Sequence, residues 1–204
     1  MLEDVVIKFF GDFGVWVVVL VSSMLPLIEL HGAVPLGIAQ EIWGSGAMSI
    51  VGASLVAFIG STLVGILLIL LLTPILKLLK KNKKLAKIAN SIEKLFNEKL
   101  CGLKGSESRK MLLLTLLIAL PVPLFGIWTG AGILVFLGVK KWKSILCLTL
   151  GNLASAVLMA LLCWLFYELI PLLLICMVII IILMALWYVC LGIYALCHKH
   201  KKVV

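Results

Sequence analysis

Leu25-Pro-Leu-Ile-Glu29-Leu-His31-Gly32-Ala-Val-Pro35-Leu-Gly37 lies inside an apolar run that extends from Gly14 to Gly46. A plain transmembrane helix does not gather prolines, glycines, a carboxyl and an imidazole near mid-depth. Proline lacks an amide that the helix interior needs, and glycine weakens the helix by conformational entropy. The stretch therefore reads as a break in the apolar run with polar groups at its turn. A hairpin across Pro26–Pro35 is expected, with a Pro-kinked spanning helix as the alternative.

The flanking sequence gives this break its setting. Ala47–Leu76 is a clean apolar run, long enough to cross about 30 Å of hydrocarbon with tilt. Of the 204 residues, 64% are hydrophobic and only 13% charged, against about 45–50% and about 25% in ordinary soluble domains. Mean hydropathy is +1.27. A water-soluble globule could not hide so much apolar surface. A β-barrel would alternate its apolar residues about every second position, and these runs are continuous. The class is an all-α integral membrane protein.

The net charge of +9 is concentrated, because Lys77–Lys110 holds eleven Lys/Arg against three Glu, or +8. That excludes a nucleic-acid reading and marks a cytoplasmic loop facing anionic lipid headgroups. Within the loop Leu85, Ile88, Ile92, Leu95 and Phe96 share one helical face, as expected of a helix lying on the membrane surface. Residues 1–13 carry a similar stripe, Val5, Val6, Phe9, Phe10 and Phe13, and read as an interfacial helix. Their acidic start does not resemble a signal peptide. The six cysteines show no CxxC spacing, and neither disulfides nor a metal site is implied.

A second broken run, 111–139, turns at Pro121-Val-Pro123. Its first arm, Met111–Leu120, measures about 15 Å, half the hydrocarbon thickness. Were this run to span, the basic loop and Lys140-Lys141-Trp142-Lys143 would lie on opposite sides, against the positive-inside rule. As a re-entrant hairpin it leaves both on the cytoplasmic side. Residues 144–167 then go out, 172–197 return, and the basic tail 198–204 is cytoplasmic too.

The single membrane domain thus reads as 1–13, a hairpin over 14–46, a helix over 47–76, the loop 77–110, a hairpin over 111–139 and two final helices. Each half pairs a broken hairpin with a long helix carrying a Gly-polar step, Gly60-Ser61 and then Gly151-Asn152. Two re-entrant hairpins and about three full transmembrane helices make the inverted-repeat plan of many secondary transporters.

Catalytic machinery is not evident: there is no GxSxG, HExxH, nucleotide-binding loop or carboxylate cluster. No enzyme activity, metal or cofactor is expected. Glu29 is the leading candidate, because a charge at bilayer centre costs at least ~3 kcal/mol on insertion scales and needs a reason. There it can exchange a proton for a cation. Gly32, Pro35 and Gly37 are expected to unwind the backbone beside it. His31 has two readings, a proton relay or a hydrogen-bonded structural histidine. In the second hairpin Trp128 either faces a lipophilic cation or packs against lipid and helix, with Thr129 beside it. Asn152 is either interhelical hydrogen-bond glue or part of a transport path. Glu41 and Glu168 read as interface markers.

The segment Pro26-Leu-Ile-Glu29-Leu-His-Gly32-Ala-Val-Pro35-Leu-Gly37 resembles the E-(R)-G-A-[IV]-P-L-G signature of the small multidrug export family. Pro121-Val-Pro123, followed by Gly126, Trp128, Thr129 and Gly130, is similar to that family's second motif. The resemblance spans most of the chain and implies a re-entrant-loop architecture. It also implies a relationship to the DedA/VTT group, linked to polyprenyl-phosphate translocation and proton-dependent drug tolerance. His31 replaces the usual arginine and Phe125 a threonine. With no Arg or Lys between Met111 and Val139, a phosphate headgroup lacks its expected cation.

Three functions remain to be weighed. The first is proton-coupled export of small amphipathic cations at Glu29, His31, Gly32, Pro35, Pro121, Pro123, Trp128, Thr129 and Asn152. The others are a DedA-like lipid translocase and a non-transporting scaffold. All three sit in the plasma membrane among its lipids, and a homodimer is compatible with so short a chain.

Overall fold

The computed structural model describes residues 14–81, 107–120 and 126–200. The expected helices over 1–13 and in the basic loop, the turn at Pro121–Pro123 and the end of the tail lie outside these residues. The described chain is helical throughout, without a strand.

Three helices are long and apolar enough to cross a membrane, over Ile50–Leu78, Lys141–Leu165 and Tyr167–Met184. The first belongs to α4 (Ile50–Lys81), the second is α7 (Lys141–Leu165) and the third runs into α8 (Ile170–His200). The shorter elements are α1 (Gly14–Met24), α2 (Glu29–Ile38), α3 (Gln40–Trp43), α5 (Glu107–Ala119) and α6 (Ile127–Phe136). α1, α2 and α6, at ten or eleven residues, are each about 15–17 Å long, roughly half the thickness of a bilayer core. Trp142 and Trp164 are exposed near opposite ends of α7. Their separation of about 33 Å matches interfacial tryptophans flanking the hydrocarbon.

Close backbone approaches fix how the short helices lie. Val19 in α1 fills the space beside Gly37 near the far end of α2, so these helices fold back on each other. α1 runs alongside α4, with Trp16 near Gly52 and Leu20 and Ser23 packed on Gly60. The second set repeats the arrangement. Ile118 in α5 lies on Gly130 in α6, and Thr115 and Ile118 pack on Gly151 of α7. At Gly60 and Gly151 a Cβ would collide with the backbone carbonyl of the neighbouring short helix, Leu20 O or Thr115 O. Glycine is required there by close approach.

Two apolar cores result. One joins α1 and α2 to the start of α4 and the end of α7, through Val19, Leu30, Ala53, Ala57, Met159 and Cys163. The other joins α5 and α6 to the end of α4 and the start of α7, through Ile69, Leu114, Ile118, Leu134 and Leu148. α4 and α7 are therefore antiparallel. Lys77 and Lys81 on α4 and Lys140, Lys141 and Lys143 around the start of α7 gather at one end.

Between the cores the long helices are joined by Asn152. Its Nδ2 donates to Ser61 Oγ and Thr62 Oγ1, each at 2.8 Å, and to Phe58 O at 3.3 Å. This fits the hydrogen-bond-glue reading of Asn152.

The expected unwinding at Gly32, Pro35 and Gly37 does not occur. α2 is helical through all three and has Pro35 inside it. The small residues serve close packing instead: Met177 of α8 lies over Gly32, while Val19 and Ala53 close on Gly37. The backbone irregularity falls earlier, at Glu29, whose φ of 47° is left-handed.

Candidate functional site

Glu29 begins α2 directly after the turn at Leu25–Ile28. Left-handed backbone at a residue with a Cβ costs about 1–3 kcal/mol and persists only where its surroundings enforce it. What they enforce is the direction of the side chain. It crosses to the start of α6, where Oε1 accepts a hydrogen bond from the Trp128 amide at 3.3 Å. The Ile127 amide bears on the same carboxyl.

The first amides of a helix have no partners within it, and the N-terminal end of the helix dipole favours an anion. α6 has no side-chain cap from its own N-cap residue, Gly126. Glu29 does that work from a different helix, 99 positions away in sequence. A Cβ built on Gly126 would land on the Glu29 carboxylate, so the carboxylate occupies the space that any other residue would fill.

Trp128 strengthens the junction. Its indole Nε1 donates to Met24 O at 3.2 Å, so both its amide and its ring tie α6 to the first helix pair. The side chain is half-buried and does not line the cavity described below. Thr129 is exposed, and its hydroxyl donates to Gly126 O within its own first turn.

The carboxyl also reaches His31, whose Nδ1 lies 3.7 Å from Glu29 Oε2. On its other side His31 Nε2 shares a hydrogen bond of 3.0 Å with Ser155 Oγ of α7. The order acid–histidine–serine is that of a hydrolase relay. Ser155, however, is only 1% exposed and is absent from the cavity wall. The arrangement presents no nucleophile to a ligand, and its effect is to anchor α2 on α7.

Glu29 and His31 do face a cavity of about 390 Å3 between α2, α7 and α8. That volume falls in the range of small-molecule sites. Apart from these two residues its walls are hydrocarbon or sulfur, including Met159, Cys163 and Met177. Glu29 is 5% exposed in a nearly apolar chamber, and it simultaneously holds the other helix pair.

Among the candidates named from sequence, the structure brings together Glu29, His31, Gly32 and Trp128. Pro35 is buried inside α2 away from the cavity, and Asn152 sits between the long helices. Pro121 and Pro123 lie outside the described residues. No group of three or more His, Cys, Asp and Glu that could hold a metal is found among the described residues. Sequence reasoning did not identify Ser155 or Met177, and it named Gly126 only as part of the second motif. Ser155 had a signal, since it lies one turn beyond Asn152 on the same face of an apolar helix.

No curated protein and no solved structure matches this chain. A family model does match, over residues 29–158, from the buried carboxyl at the start of α2 to one residue short of Met159 in the cavity wall. The match covers α2 to α6 and α7 as far as Leu158, more than half of the chain, and by it the chain belongs to the family described as "Putative small multi-drug export protein".

Proposed function

We propose that this chain is a secondary transporter of the plasma membrane that exports small amphipathic cations in exchange for protons at Glu29. The observation that carries the reading is the double engagement of one carboxylate. Glu29 lies in the wall of an apolar cavity of ligand size and also caps the first turn of α6. A proton or an organic cation on that carboxylate competes with the amides of Ile127 and Trp128. Filling the site therefore loosens the junction between the helix pairs, and emptying it restores the junction.

The architecture supports alternating access. α1–α2 and α5–α6 act as re-entrant hairpins, each half a bilayer deep, joined where Glu29 at the start of α2 meets the start of α6. The paired contacts at Gly60 and Gly151, on antiparallel helices, support an inverted repeat. The end of the bundle that gathers Lys77, Lys81 and Lys140–Lys143 is cytoplasmic under the positive-inside rule. On that side the loop 77–110 meets anionic headgroups and α8 ends.

A phosphate-bearing lipid, as in the DedA-like alternative, fits the site less well. The start of α6, which could take an anion, already holds the Glu29 carboxylate, and no Lys or Arg lines the cavity. The scaffold reading accounts for the cap on α6 but not for the carboxylate's place in the wall of an apolar cavity of ligand size.

Ethidium movement into proteoliposomes under an imposed pH gradient tests the proposal. Wild type is expected to move the dye at least tenfold faster than empty liposomes, and Glu29→Gln to fall to the empty-liposome rate while remaining folded. Equal rates for wild type and empty liposomes would overturn it.

A further inference from the structure

The shape of the cavity narrows the class of cation. Its wall on α8 begins at Ile170 and ends at Met184, a helix rise of about 21 Å. A cavity of about 390 Å3 whose wall runs that far along one helix is drawn out along it. That describes a slot rather than a bowl. An extended alkyl chain fills such a slot along its length.

The polarity of the slot is also graded. Its deep part is marked by His31, which bonds Ser155 one turn before Met159 on α7. From Met159 outwards, through Cys163 to Phe166 and Ile170 where α7 turns into α8, there is no ionisable group other than thiols. Phe166 and Leu173 line the slot and are exposed, so the slot is not sealed. Unbranched thioether side chains such as Met159 and Met177 adapt to a flexible chain without a fixed shape.

We infer that the site takes an alkylammonium amphiphile, its ammonium head beside Glu29 and His31 and its unbranched hydrocarbon tail lying between α7 and α8. The inference rests on the reading of Glu29 as a cation site and specifies the substrate for it. Charge complementarity selects the head, because Glu29 repels a phosphate or carboxylate.

The test uses the full chain in phosphatidylcholine nanodiscs and the butyl-, octyl- and dodecyltrimethylammonium ions, with binding corrected for partition into empty nanodiscs. Dodecyl is expected to bind at least threefold tighter than butyl. Cys163→Phe, which fills the tail region, should weaken dodecyl at least tenfold and leave butyl within twofold. Glu29→Gln should weaken both. In unmodified protein, dodecyl but not butyl should also slow alkylation of Cys163 and Cys176, read by peptide mass spectrometry, and that measurement needs no variant. Equal binding of all three chain lengths, or alkylation unaffected by dodecyl, would overturn the inference while the cation reading of Glu29 stands. Failure of every chain length to bind in a Glu29-dependent way would overturn both.

Discussion

Two demands meet on the Glu29 carboxylate: it caps α6 and it faces the cavity. The backbone around it is built for the first. A left-handed φ of 47° turns the side chain towards α6, and the missing side chain of Gly126 makes room for it. Replacing that glycine is therefore a cleaner perturbation than replacing the acid. Gly126→Ala should push the carboxylate off the α6 amides while keeping its charge. Transport should fall at least tenfold with cation binding retained, measured as flux in proteoliposomes and binding in nanodiscs. Glu29 was legible in the sequence because a carboxyl in an apolar run needs a reason. Its pairing with the second hairpin and with α7 was not. Gly126, Trp128 and Ser155 lie about a hundred residues away, and nothing local in either segment records that they meet.

At the scale of elements, breaks in hydrophobic runs were easier to read than their geometry. The three long runs appear as helices α4, α7 and α8, and the first interruption begins at Leu25, next to Pro26. The helix that follows was misread, because Gly32, Pro35 and Gly37 suggested an unwound segment. A glycine that breaks a helix and one that admits a neighbour look alike in sequence. Here Met177 and Val19 occupy the space the glycines leave open. The same logic governs Gly60 and Gly151, each of which receives a short helix at van der Waals distance. Gly60→Leu and Gly151→Leu should each destabilise the fold by about 1–3 kcal/mol through overpacking. Thermal unfolding in detergent checks this, and equal stability for either variant would show that the close approach is not required.

At the scale of the molecule, charge placement and packing point the same way. Basic residues from two separate segments, the end of α4 and the start of α7, lie at one end, with the exposed Trp164 near the other. Lys140→Cys should react with a membrane-impermeant maleimide only from the cytoplasmic side, and Glu41→Cys only from outside, as read by labelling in intact cells and inverted vesicles. Labelling of both from one side would refute the hairpin topology. The central claim, that one carboxylate serves cation and proton in turn, is tested most directly by running the exchange backwards. Proteoliposomes loaded with dodecyltrimethylammonium and diluted into cation-free medium of the same pH should acidify inside as the cation leaves, and Glu29→Gln liposomes should not. Cation efflux with no change in internal pH, or acidification that survives Glu29→Gln, would contradict the account.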